Sequence, residues 1–186
     1  MKLKNLVPKI ITERSGVSYD YGCAMIYFSF DELNEIQSLI KTKDVYIDPE
    51  DDSFGLEDEP HATFLFGLHE EVTKDQVENV LNNFTYSTCK VFNPSIFEGK
   101  LYDVLKFEVR GDYLQETHDE LKTFPHTLTH PKYNPHLTIG YITKGKGQYY
   151  ADLLNKHKFN EYWLAPQYAV YSTPNNGKHK INIKID

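Results

Sequence analysis

Residues 60–67 read PHATFLFG and residues 135–142 read PHLTIGYI. Each stretch places a proline directly before His-x-Thr and continues as a strand-like apolar run, so His61-Ala62-Thr63 and His136-Leu137-Thr138 have the same form. Side chains on a strand alternate between faces. Each His and its next-but-one Thr therefore point one way, while Ala62 and Leu137 point into the opposite layer. Two such strands packed side by side predict a cleft holding two imidazoles and two hydroxyls in approximate twofold symmetry. A single His-x-Thr is a weak signal, because a strand histidine is usually a packed or surface residue and threonine is simply a good strand former. Two copies in matched context are much stronger.

Working outward, strand and helix repeat. Upstream, the stretch Cys23 to Phe30 has strand propensity, and Asp31 is the expected cap of a helix on which Leu33, Ile36, Leu39 and Ile40 share a face. Residues 48–59 carry seven acids with Pro and Gly and read as a solvated loop. After the first motif a helix is predicted over 73–84, opened by a capping box of Thr73 and Gln76. Extended segments at 87–92 and 101–109, separated by the turn-rich NPSIFEGK, are expected to pair as a hairpin. A helix follows from Asp112 to about Phe124, and HTLTHPKYNP leads as a turn-rich stretch into the second motif. A helix over 148–157 and a strand pair at 167–172 and 180–185, joined by Pro-Asn-Asn-Gly, complete the chain. Residues 1–20 lack sustained periodicity and read as an N-terminal arm, which leaves 21–186 as a single two-lobed α+β domain.

The length of 186 residues suits one such domain, and 40% apolar with 25% charged residues places the chain among soluble globular proteins. Lys plus Arg number 20 against 27 for Asp plus Glu, a formal charge of −7, which argues against gripping long nucleic acid by phosphate neutralisation. A small phosphate-containing substrate held by a few local groups fits that balance. No run of about 18 apolar residues occurs, and Lys2, Lys4 and Lys9 are not followed by an apolar stretch long enough for a signal peptide, so a cytoplasmic location away from membranes is expected. Cys23 and Cys89 have no metal-ligand spacing and no neighbouring His; two buried, inert thiols are expected and no metal site. No Gly-rich phosphate loop of either common pattern is present, so no nucleotide cofactor is expected.

Two imidazoles and two hydroxyls have a specific chemical use. Breaking a phosphodiester requires one group to take the nucleophile's proton and another to protonate the leaving oxygen, and imidazoles serve both roles near neutral pH. The hydroxyls of Thr63 and Thr138 can donate to the non-bridging phosphate oxygens, where charge grows in the transition state.

On these residues the chain resembles the two-histidine (2H) phosphoesterases, a superfamily that includes LigT-like RNA 2′,3′-cyclic phosphodiesterases once called 2′-5′ RNA ligases. The resemblance covers residues 21–186. It implies a bilobal α+β fold, with two pseudo-symmetric lobes of mainly antiparallel sheet around a central cleft. It also implies metal-independent phosphodiester cleavage by His61, Thr63, His136 and Thr138. Members include viral enzymes that degrade 2′-5′ oligoadenylates and phage enzymes that destroy cyclic oligonucleotide immune signals, and the small size, acidity and N-terminal arm are similar to phage-encoded members. The expected substrate is thus a cyclic or 2′-5′ linked oligonucleotide. RNA ends bearing a 2′,3′-cyclic phosphate, or a nucleotide bound without turnover, are the alternatives.

The chain departs from the pattern of many cellular members, which carry Arg or Lys shortly after a motif. Phe66 and Tyr141 stand five residues after each His here. Lys132, in KYNPH, is then the nearest cation in sequence and a candidate phosphate ligand. Tyr27, Tyr141 and the single tryptophan, Trp163, are candidate substrate-binding aromatics, since a nucleobase needs a flat apolar partner. His126 and His130 lie in a polar turn and read as loop residues; His69, His118, His157 and His179 are assigned no chemistry.

Overall fold

The computed structural model describes residues 21–51, 53–128, 130, 132–157, 159–174 and 177–186; the expected N-terminal arm and the middle of the Pro-Asn-Asn-Gly turn lie outside these. The chain runs β1 (Gly22–Phe28), α1 (Leu33–Ser38), β2 (His61–Leu68), α2 (Lys74–Leu81), β3 (Thr85–Tyr86), β4 (Cys89–Glu98) and β5 (Tyr102–Arg110). It continues α3 (Asp112–Leu121), β6 (His136–Thr143), α4 (Gly147–Lys156), β7 (Glu161–Leu164), β8 (Pro166–Ser172), β9 (Lys178–Ile181) and β10 (Lys184–Ile185). Two four-stranded antiparallel sheets result, ordered β2-β1-β8-β9 and β6-β5-β4-β7, and β3 pairs with β10 in a short parallel ribbon.

The lobes interleave. Sequence order predicts two halves, each a motif strand, a helix and an extended pair, whereas the β4–β5 hairpin after α2 joins β6, and the C-terminal β8–β9 pair joins β1 and β2. Each motif strand thereby ends its sheet, and β2 contacts β6 across the join.

Alternation along the strands divides each sheet into two faces. Ala24, Ile26 and Phe64 from one sheet and Leu105, Phe107, Leu137 and Ile139 from the other share one core with Ile36, Leu81, Leu114, Leu121 and Leu154 of the helices. Each of the Leu, Ile and Phe side chains contributes about 1.5–3 kcal/mol on burial. The helices pack on this side, so the motif histidines stand on the opposite faces, where Cys23, Met25, Tyr27 and Val170 of the first sheet form a second, smaller buried cluster.

Four local expectations are corrected. The first helix begins at Leu33 with Glu32 at its N-cap and no side-chain cap, because Asp31 instead accepts from Ser29 Oγ. The NPSIFEGK segment is strand rather than turn: Asn93 takes φ 52°, which asparagine tolerates, and the ladder skips over Asn93 and Pro94 and resumes at Ser95. Residues 161–164 form an edge strand that the short EYWL stretch did not announce. The acidic segment is solvated only in part: Glu50, Asp58 and Glu59 are exposed, but Asp51 and Glu57 are buried. Tyr46 N donates to Tyr141 O at 2.9 Å, Tyr141 N to Gly55 O at 2.7 Å and Glu57 N to Ile139 O at 3.0 Å, so the segment covers the open edge of β6. Asp51 and Glu57 are buried because their carboxylates accept from their own local N–H groups, of Ser53 and of Asp58 and Glu59. Gly140 permits the close approach, since a Cβ there would lie 2.8 Å from Leu56 Cδ2.

Most other elements form where predicted, within a few residues, but the strand expected at 180–185 is split: β9 pairs with β8, whereas β10 pairs in parallel with β3. α2 has the full capping box between Thr73 and Gln76, and α3 ends at Leu121, three residues before Phe124.

Candidate active site

Both motif strands are entered in the same way. His61 Nδ1 lies 2.8 Å from Glu59 O, and His136 Nδ1 lies 2.8 Å from Asn134 O, each reaching back over the intervening proline. A carbonyl only accepts, so Nδ1 holds the proton in each neutral ring and Nε2 is left with its lone pair. Proline fixes the turn through its restricted φ. Its carbonyl ties the turn to the neighbouring strand: Pro60 O accepts from Phe28 N at 2.9 Å and Pro135 O from Val109 N at 3.0 Å.

The register then slips at the same place in each strand. Met25 pairs with Thr63 but Ala24 with Leu65, and Lys106 pairs with Thr138 but Leu105 with Gly140. One residue directly after each motif threonine, Phe64 or Ile139, is thus extra and turns into the core. The bulge lets His and Thr share the cleft face while the following run serves the core.

Around that common plan the two halves differ. His61 is buried and its ring stacks on Tyr27 with centroids 5.2 Å apart, and Tyr27 stacks in turn on Tyr168 at 5.0 Å. His136 is half-buried and meets the edge of Phe97 at 4.8 Å. Burial pushes the His136 imidazole down to about 4, with the nearby charges of Lys106, His61 and His130 acting in the same direction and the Asn134 hydrogen bond opposing. The two motif histidines open strands that contact each other, β2 and β6.

Lys106 is the residue that sequence reasoning missed. It is 6% exposed, stands opposite Thr138 in the β5–β6 register, donates to Ser95 Oγ at 2.8 Å and lies 4.6 Å from the Phe97 ring centroid. Burial lowers its pKa. The available signal was a lone lysine inside the apolar strand YDVLKFEVR, the one position where a cation interrupts a core-like run.

The other predicted site residues are placed as follows. Tyr27 adjoins His61, but at 3% exposure, between two rings, it supports the imidazole and offers no bare face to a base. Tyr141 is buried against Phe54 and Tyr102 and likewise presents no stacking surface. Lys132 is exposed in the loop before β6. Trp163 is 65% exposed on β7, three strands from His136 in the same sheet.

Residues assigned no chemistry brace the site. Tyr133 donates to Thr63 O at 3.0 Å, His118 Nδ1 lies 2.7 Å from Phe64 O, and their rings stack at 3.9 Å, so the first bulge is held on both of its carbonyls. His126 repeats the Pro-His turn, with Nδ1 2.8 Å from Phe124 O, but it bridges to Leu68 at the far end of β2. A cavity of about 430 Å³ opens between the start of β2 and α1, with Phe30, Leu33, Asn34, Glu59, Pro60 and Tyr168 in its wall and none of the four motif residues lining it. Among the described residues no cluster of His, Cys, Asp and Glu is arranged to hold a metal ion, and no helix is long and apolar enough to cross a membrane. Both cysteines are buried free thiols, and burial pushes that of Cys89 up to about 12.

No family model matches the sequence, and no curated protein matches it. Among solved structures, the chain is similar to Usb1 from Kluyveromyces marxianus, determined with uridine monophosphate. The two share 10% sequence identity at a TM-score of 0.59, over 90% of this chain and 100% of that one. With its two antiparallel sheets meeting where β2 contacts β6, the chain shares the bilobal α+β fold of that structure.

Proposed function

We propose that this chain is a metal-independent phosphodiesterase that cleaves short nucleotide substrates by acid-base catalysis between His136 and His61. The observation that carries the reading is the matched Nδ1–carbonyl lock, which commits both Nε2 atoms to whatever occupies the cleft. Burial and Lys106 favour the neutral ring of His136, so it takes the proton of the attacking oxygen. His61 acts in its imidazolium form, with a second proton on Nε2, and gives that proton to the leaving oxygen as the phosphorus–oxygen bond breaks, so the turnover leaves the proton on His136 and His61 neutral. Thr63, Thr138 and Lys106 meet the charge that develops on the non-bridging oxygens. If the attacker is a ribose 2′-OH, the product is a 2′,3′-cyclic phosphate; if it is water, that cyclic ester opens.

The likeness to Usb1, whose structure holds a uridine nucleotide, favours RNA ends over the cyclic or 2′-5′ linked oligonucleotides that the sequence first suggested. The test is incubation in EDTA with a short oligoribonucleotide, 2′,3′-cyclic UMP, 2′-5′ oligoadenylate and cyclic dinucleotides, with products resolved by chromatography. Turnover of the RNA substrates is expected, with His61→Ala and His136→Ala each costing about 10²–10⁴-fold. Loss of turnover in EDTA, or full activity in His61→Ala, overturns the mechanism; binding without product returns the chain to a nucleotide sponge.

A further inference from the structure

The cleft face of the second sheet continues past His136 as two ordered rows of side chains. The first runs across the strands through His136, Glu108, Phe92 and Glu161, which are successive register partners. The next row out is Arg110, Lys90 and Trp163, again register partners. Both rows lie on the cleft side, because the alternate residues Val91, Phe107, Val109 and Leu164 belong to the core.

The outer row has the composition of a single-strand nucleic-acid platform. Trp163 is 65% exposed on an edge strand, and no ring among the described residues packs on it. Arg110 is exposed, its guanidinium lies 4.9 Å from the Phe92 ring centroid, and no carboxylate among the described residues pairs with it. Lys90 lies 5.6 Å from the same ring and is held by Glu161 at 2.7 Å, which neutralises part of its charge. In the intervening row Glu108 accepts from Asn93 and Glu161 is tied to Lys90, so both acids are already engaged. A strand of nucleotides recognises this arrangement through phosphate on the guanidinium and a base on the indole.

We propose that Arg110 and Trp163 form a flanking subsite for a linear oligonucleotide whose scissile phosphate sits between the two histidines. Three strand spacings and a two-residue offset put Trp163 about 16 Å from His136, a span that a nucleotide bound at the histidines does not bridge and a short oligonucleotide does. This rests on the phosphodiesterase reading and narrows its substrate class to linear chains of more than one nucleotide, away from cyclic dinucleotides.

Trp163 is the single tryptophan, so its fluorescence reports the subsite directly. The His61→Ala protein, in which turnover is suppressed, is titrated with 2′,3′-cyclic UMP, a uridine dinucleotide, pentauridylate and a cyclic dinucleotide. Quenching by pentauridylate and none by the cyclic mononucleotide is expected. In the otherwise unmodified chain, Trp163→Ala raises KM for pentauridylate roughly tenfold with kcat on 2′,3′-cyclic UMP unchanged, Trp163→Phe restores most of the loss, and Arg110→Gln lowers the salt slope of binding by about one. Equal quenching by the mononucleotide, or an unchanged KM in both Trp163→Ala and Arg110→Gln, overturns the proposal. Quenching by pentauridylate in a protein that turns over none of the substrates leaves the subsite standing and rejects the catalytic reading, so the two failures are distinct.

Discussion

Burial holds the His136 ring neutral and Lys106 adds to it: taking an imidazole out of water disfavours its positive charge, and a cation beside it acts the same way, so the ring is driven down to about 4 from its ordinary 6.5. Lys106→Gln removes one of these causes, so the His136 pKa rises and the acid limb of the kcat/KM profile moves to higher pH. Activity at neutral pH falls about a hundredfold with the loss of a charge aimed at the phosphate. An acid limb at the same pH in the variant would show that Lys106 does not act on the imidazole. The two histidines and two threonines were legible because a period of two and a shared proline require nothing beyond local chain geometry. Lys106 was not, because its role depends on burial and on a partner in β6 about thirty residues away. Tyr27 shows the converse: its aromatic character marked it as important, but only packing revealed that both faces of its ring are occupied.

At the level of elements, the Pro-His turn and the bulge behind it work as a unit. The turn fixes the tautomer, and the bulge returns the strand to the core without moving the threonine. The first bulge is braced by Tyr133 and His118 on the carbonyls of Thr63 and Phe64. Tyr133→Phe removes one hydrogen bond from a partly buried carbonyl and is expected to cost about 1 kcal/mol in urea unfolding. Its kcat is also expected to drop several-fold, since Thr63 loses its support. A stability loss with kcat intact would make Tyr133 a packing residue only. Elements with caps or strict periodicity, such as α2, were legible; β7 and the cover over the edge of β6 were not. Four residues carry too little pattern to announce a strand, and the acidic segment pairs through its backbone, to which a reading of side chains is blind.

For the molecule as a whole, the lowered pKa values of His136 and His118 link unfolding to proton uptake. Between pH 6.5 and about 4 the unfolded chain binds a proton at His136 that the folded chain refuses, so stability falls as pH falls through this window and is fully present above it. Thermal unfolding followed from pH 7 to 4 is expected to show a declining midpoint, with a shallower decline in His136→Gln. Parallel curves for the two proteins would assign the acid sensitivity to other groups.

The sequence by itself determined the local chemistry: a proline before each histidine, an Nδ1 locked to the carbonyl two residues back, and a threonine on the same strand face. It wrote that turn three times, at His61, His126 and His136, because the geometry needs only neighbouring residues. Tertiary structure decided which two of the three open contacting strands. It exchanged the C-terminal strands between the lobes, set β2 and β6 side by side, and left His126 at the opposite end of β2. Strand order and sheet contact are set by long-range burial of a shared core, and no periodicity within a segment encodes its partner.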